Sequence, residues 1–115
     1  MRPLLKQLGA RLKQLREEQG LSVIDVAGET RVHKSTIYNI EAGRHPPSMK
    51  HLSALAQALR CDELDLLCFP GAHPRHDVLE ILRRAPLTAV LAVKTATANL
   101  IAGDEKKPRK TRRES

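Results

Sequence analysis

Aromatic residues are nearly missing from this chain, with one Phe, one Tyr and no Trp in 115 residues. The core must therefore be aliphatic, built from Leu, Ile, Val and Ala, which favours helices over a sheet sandwich. Two cysteines are too few for a disulfide framework and read as reduced thiols. A secretory signal is not expected, because Lys6, Arg11 and Lys13 break up the apolar positions near the start. The most apolar late stretch, Leu87 to Ala102, is interrupted by Lys94, Asn99 and three threonines and is too short to span a bilayer. Together these absences point to a cytoplasmic protein. There is also no phosphate-cradling glycine loop, no nucleophile elbow and no pair of carboxylates on an apolar face, so no enzyme and no cofactor are expected. No internal repeat is present.

Charge of one sign is plentiful. The formal net charge is +7 and the isoelectric point about 9.9. Residues 1–70 hold ten Lys/Arg against eight Asp/Glu, whereas residues 71–115 hold ten against five. Such a balance suits a polyanionic partner, although a solvated surface carries the same signature. With 115 residues and 41% hydrophobic content, the chain is long enough for one small helical domain and a short appendage.

The stretch from Leu21 to Pro47 organises the rest. Ser22 is a helix-capping residue and is followed by the apolar set Ile24, Val26 and Ala27. The segment from Thr30 to His33 interrupts that pattern, and a second helix runs from Lys34 to Ala42 with Gly43 as its stop. Val32, Ile37 and Ile40 fall on one side of it, and Lys34, Ser35, Tyr38 and Asn39 towards the other. An apolar back and a polar, cationic front are what a helix needs to lie in a groove lined with donors and acceptors, which predicts a helix-turn-helix.

Around it, residues 3–18 predict a first helix with Leu5, Leu8, Leu12 and Leu15 as its apolar stripe and Lys6, Arg11, Lys13 and Glu17 opposite, ended by Gly20. Ser48 caps a fourth helix, Met49 to Arg60, with Leu52, Leu55, Ala56 and Leu59 inward. Asp62 caps a fifth, Glu63 to Cys68, with Leu64 and Leu67 inward. The loop Phe69 to Pro74 marks the expected domain boundary. Beyond it lie a short amphipathic helix, Asp77 to Arg84, and a second helix, Leu87 to Ala102, stopped by Gly103. The tail from Asp104 has no apolar residue and six cations, and is expected to be disordered in isolation. The expected division is a helix-turn-helix domain over 1–70, a helical segment over 71–103 and a basic tail over 104–115.

Residues Leu8 to Leu66 resemble the phage-repressor/Cro type of helix-turn-helix domain, the XRE family. The matching runs are LGARLKQLREEQGLS, DVA, VHKSTIYNIEAGRHPPS and LSALAQAL. The resemblance implies an all-α, five-helix, repressor-like bundle that dimerises and reads a two-fold symmetric DNA site. It places Lys34, Ser35, Thr36 and Asn39 at base-facing positions, Arg44 and Ser48 on the sugar–phosphate backbone, and Arg16 with Glu41 in a structural ion pair. Those residue types suit the groove, since Lys donates to guanine O6 and N7, Asn pairs with adenine, and the Thr methyl touches that of thymine. Two positions depart from the family pattern. Val23 replaces a phosphate-contacting Gln, and Arg31 replaces the usual turn Gly, so it must adopt a positive φ or use a different turn. Arg31 can also reach a phosphate. His33 is open between a phosphate contact and an ordinary N-terminal turn residue, and Tyr38 between helix packing and a phosphate contact.

Cys61, Cys68, His73 and His76 lack the close Cys pair of structural zinc sites, so they are expected to be buried thiols and loop histidines without a metal. The helix from Leu87 has three possible uses: folding back on the core, forming a dimer interface, or binding another protein. Dimerisation through Leu87, Val90, Val93, Thr97, Leu100 and Ile101 is the preferred one. The basic tail is read as an arm on phosphates, with a solubilising end as the alternative. The expected function is a homodimeric, sequence-specific DNA-binding repressor on a palindromic operator, acting on the nucleoid. The runner-up is an antitoxin-type autorepressor whose late segment binds a toxin. A third reading is an activator or architectural factor that touches RNA polymerase.

Overall fold

The computed structural model describes residues 3–105, so the basic tail beyond Glu105 lies outside the described residues. Among the described residues every regular element is a helix: α1 Leu4–Glu18, α2 Val23–Thr30, α3 Lys34–Glu41, α4 Met49–Ala58, α5 Glu63–Leu66, α6 Pro74–Arg84 and α7 Leu87–Glu105. The contacts divide the chain into two compact units, one through Glu80 and the other from Ile81. No helix among the described residues is long and apolar enough to cross a membrane.

In the first unit α1 packs on α3 and α5, and α4 on α2 and α5. The aliphatic stripes meet in one core of Leu8, Leu12, Leu15, Val26, Ile37, Ile40, Leu55 and Leu59, all at most 5% exposed. Fully burying side chains of this size stabilises the fold by about 1.5–3 kcal/mol each. The starts of α2 to α5 are each closed by a side chain, whereas α1 starts after Pro3 without one. Ser22 and Asp25 form a reciprocal capping box on α2, as do Asp62 and Asp65 on α5, and Ser48 Oγ accepts from the His51 N–H on α4. α1 ends in a left-handed Gly20 at φ +72°, which turns the Leu21 N–H back to the Arg16 carbonyl.

Several local expectations are corrected. In α5 the inward residue is Leu66, fully buried, while Leu64 and Leu67 are 56% and 43% exposed. One turn of helix offers too few positions for periodicity to choose its face. At the start of α2 it is Val23 that enters the core, and Ile24 points to solvent. Gly103 does not stop α7, which runs through it to Glu105. Pro74 opens α6 three residues before Asp77, as its missing N–H and preset φ allow.

Arg11 is the largest correction. It does not decorate the solvent side of α1 but is 2% exposed. Its Nε donates to the Asp65 carbonyl at 2.9 Å, Nη1 to Gln14 Oε1 at 3.2 Å and Nη2 to Glu80 Oε1 at 2.8 Å. The buried guanidinium thus ties α1 to α5 and to Glu80 in the second half of α6, within the first unit. Close by, the Phe69 N–H donates to His76 Nδ1 at 2.7 Å, the two rings stack, and Cys68 Sγ donates to the His76 carbonyl. Cys68 is buried and Cys61 packs against the core. No group of three or more metal-capable side chains gathers among the described residues.

In the second unit α7 is apolar in composition but has no apolar side. Every residue from Leu91 to Asp104 is exposed, and Leu87, Val93, Leu100 and Ile101 are 69%, 40%, 75% and 53% exposed.

Candidate nucleic-acid interface

The interface is built on α3. Ile37 and Ile40, three apart, are 2% and 1% exposed and clamp the back of the helix to the core. That fixes its rotation. Ser35, Tyr38 and Asn39 then lie on the opposite side, flanked by Lys34 and Thr36, with Thr36 and Asn39 partly covered and the others exposed. Tyr38 is 54% exposed, so it is not packed into a neighbouring helix.

The turn into α3 is held by three devices. Arg31 adopts φ +63°, the left-handed conformation usually left to glycine, and its N–H reaches the Ala27 carbonyl at 2.8 Å. Thr30 Oγ1 donates to the Val26 carbonyl at 2.7 Å and accepts from the Val32 N–H at 3.1 Å. His33 caps the helix, its Nδ1 accepting from the Ser35 N–H at 3.1 Å and lying 2.7 Å from Ser35 Oγ. With that nitrogen accepting the backbone N–H, the Ser35 hydroxyl is the donor in their side-chain contact. Arg31, His33 and Lys34 line one open depression with Ile24 and Gly28, so three cationic or donor-bearing residues share one edge.

The far end of α3 is fixed from α1. Arg16 grips Glu41 with two hydrogen bonds, Nε to Oε2 at 2.7 Å and Nη2 to Oε1 at 3.0 Å, and Nη1 donates to the Leu21 carbonyl at 2.8 Å. The hydrogen bond to Glu41 is the main cause that raises the Arg16 pKa above its ordinary value, so the guanidinium keeps its charge in this contact. Its side chains are 12% and 9% exposed, which makes Glu41 a structural anchor. Gly9 completes the junction. A Cβ there would lie 2.4 Å from the Glu41 carbonyl oxygen and 2.5 Å from that of Ile40, so only glycine lets α1 approach the end of α3. Gly9 stands inside the matching run LGARLKQLREEQGLS but carried no role in the sequence reading, because its constraint comes from residues 31 and 32 positions away.

After α3, Gly43 at φ +75° reverses the chain, and Arg44 folds back so that its Nη1 donates to Asn39 Oδ1 at 3.2 Å. The structure thus gathers Arg31, His33, Lys34, Ser35, Thr36, Tyr38, Asn39 and Arg44 on α3 and its two ends. Ser48 starts α4 and shares no hydrogen bond with them. Leu87, Val90, Val93, Thr97, Leu100 and Ile101 belong to α7, in the other unit.

A buried-back, polar-front second helix joined to its predecessor by a tight turn defines a class, and comparison with known proteins agrees. The helix-turn-helix domain family matches residues 7–67, more than half of the chain, and the chain belongs to that family. It is 36% identical over 61 residues to the HTH-type transcriptional regulator DdrOP3 of Deinococcus deserti, a match covering 53% of this chain and 47% of that protein. The chain therefore spans about half the length of the curated relative it matches. Among solved structures it is similar to the restriction-modification controller protein C.AhdI from Aeromonas hydrophila, at 31% identity and a TM-score of 0.53 over 54% of this chain and 94% of that one. It is also similar to the clp gene regulator ClgR from C. glutamicum, at 30% identity and a TM-score of 0.53 over 56% and 83%.

Proposed function

We propose that this chain is a sequence-specific DNA-binding transcriptional regulator that acts in the cytoplasm as a homodimeric repressor on a palindromic operator. The observation that carries this reading is the division of α3, whose Ile37 and Ile40 are 2% and 1% exposed while Ser35, Tyr38 and Asn39 face outward. Two such helices in one dimer would enter successive major grooves about 34 Å apart. Lys34, Ser35, Thr36 and Asn39 read base edges there. Arg31, His33, Tyr38, Arg44 and Ser48 hold phosphates and set the register. Residues 1–70 carry the reading head. Residues 71–103 carry the dimer contact, through Leu87, Val90, Val93, Thr97, Leu100 and Ile101, and the basic tail adds phosphate contacts that steepen the salt dependence. Repression is steric, by occupying the site polymerase needs. The regulators it resembles support a regulatory role over a catalytic one.

Selection of bound sites from a random duplex pool tests this directly. The full chain is expected to enrich a site of two related half-sites, with Lys34→Ala and Asn39→Ala each costing about 1–3 kcal/mol on that site and little on random DNA. Failure to enrich any sequence, or equal loss on random DNA, overturns the base-reading assignment. A second reading, an antitoxin-type autorepressor whose late segment binds a toxin, is favoured by the exposure of α7 all round. It predicts a co-purifying protein that is lost when α7 is removed.

A further inference from the structure

We infer that Arg44 is a specificity-determining positioning residue, which locks the amide of Asn39 in one orientation before DNA arrives. The inference rests on the base-reading role proposed for Asn39 and goes one step further, to which polar atom of that side chain faces which way. The backbone makes the lock possible. Gly43 is left-handed, so the Gly43 N–H returns to the Ile40 carbonyl at 3.0 Å and the Arg44 N–H to the Asn39 carbonyl at 2.9 Å. This six-residue closure lays Arg44 back over the last turn of α3. Gly43 cannot be replaced cheaply, because a Cβ there would also sit 3.1 Å from Lys6 Cα. Arg44 and Asn39 are thus joined twice, once through the backbone and once by Nη1 to Oδ1 at 3.2 Å.

A carboxamide has an acceptor on one side and two donors on the other, and a guanidinium has donors only. Only Oδ1 can therefore face Arg44, since a flipped amide would set N–H against N–H. The Nδ2 group is turned away from Arg44 and is presented as a donor. Asn39 then favours a base edge that offers it an acceptor, such as a purine N7, guanine O6 or thymine O4. The remaining guanidinium donors stay available for a phosphate, so one residue ties backbone register to base choice. Without Arg44 the amide turns freely and accepts donors and acceptors alike.

The test uses the full chain and the site selected by it, with each base pair substituted in turn. Asn39→Ala is expected to flatten an approximately tenfold preference at one base pair of the half-site. Arg44→Met should reduce the preference at that same base pair to about threefold, besides weakening all sequences through its lost charge. In the Asn39→Ala background, Arg44→Met should then change overall affinity alone. If Arg44→Met weakens every sequence equally and leaves that preference whole, Arg44 is a phosphate clamp only and the inference is overturned. If Asn39→Ala leaves every preference intact, the base-reading role of Asn39 fails and the inference falls with it. A readout without DNA separates the two cases. The side-chain NH2 resonances of Asn39 in the free protein should shift in Arg44→Met, and unchanged resonances overturn the lock whatever the DNA does.

Discussion

Helices α3 and α7 make opposite use of apolar residues. α3 has few, but Ile37 and Ile40 share one side and are both buried, so its rotation is settled by its own chain. α7 has many, distributed all round, and from Leu91 to Asp104 none is covered. Segregation of apolar residues, not their number, decides whether a helix is oriented by the fold that carries it. A helix oriented in that way can present chosen polar atoms to a ligand, which is what a reading head requires. A helix greasy on all sides presents surface, which is what an interface between chains requires.

The contrast can be broken at its strongest point. Arg11 is the buried charge that carries the order of the first unit into α6, through Asp65, Gln14 and Glu80. Arg11→Ala removes one side of a desolvated pair and should lower unfolding stability by about 3–5 kcal/mol in denaturant titrations. A change below about 0.5 kcal/mol, the size typical of surface substitutions, would mean that this network holds nothing. The complementary variant is Leu100→Glu with Ile101→Glu in the full chain. Both positions are exposed, so melting of the first unit should not move. If the proposed dimer forms through α7, its dissociation constant by sedimentation should rise about a hundredfold, near 2.7 kcal/mol. An unchanged constant would remove α7 from the interface.

How far these features were legible in the sequence follows the same division. The helices α1 to α4 could be read because leucine spacing and the capping residues Ser22 and Ser48 agree with each other. The buried and polar sides of α3 were legible by residue type and position, and of the two turns left open at Arg31 the structure takes the positive φ. What escaped is whatever depends on a distant partner. Arg11 reads as a solvated residue until Glu80, 69 positions on, arrives beside it. Gly9 reads as a weak helix former until the end of α3 lies against it. The bonds at the two ends of α3, His33 on Ser35 and Arg44 on Asn39, are short in sequence but depend on rotamers that no pattern records. α7 was read as a helix by composition, and Gly103 misled its end because an exposed glycine costs a helix only about 1 kcal/mol.

The junction behind α3 offers smaller perturbations that sharpen the contrast. Gly9→Ala places a methyl against two carbonyl oxygens of α3 and should cost about 2 kcal/mol by overpacking. The same change at Gly103, where a Cβ meets nothing within 4 Å, should be neutral or slightly stabilising. Equal effects at the two sites would deny that α3 is the more constrained helix. Arg31→Gly should go the other way. Relief of the left-handed conformation, about 1–2 kcal/mol, outweighs the added freedom of the unfolded chain, for a net gain of about 0.5–1 kcal/mol. The melting temperature should therefore rise while DNA affinity falls, with the salt slope of binding shallower by about one unit if Arg31 meets a phosphate.

The smallest expected effect is a pH dependence at the start of α2. The Asp25 carboxylate accepts from the Ser22 backbone N–H at 2.8 Å, and Ser22 Oγ accepts from the Asp25 N–H at 3.0 Å. The bond from the Ser22 backbone is the main cause that holds the Asp25 carboxyl below its ordinary value, with the Ser22 side chain adding to it. A pKa lower in the folded state means stabilisation that is complete above the unfolded value of about 4, and lost as pH falls through the folded one. Asp25→Asn keeps an acceptor for Ser22 but has no proton to gain. The wild-type chain should therefore melt above the variant near neutrality, and the gap should close in the acid range below about pH 4. A gap that persists unchanged into acid would show that the cap acts as a neutral acceptor and that its charge adds nothing. α7 has no acidic residue in its first turn. A closing gap would thus mark a charge-dependent start to α2 that α7 lacks, in the helix that leads the chain into the turn before α3.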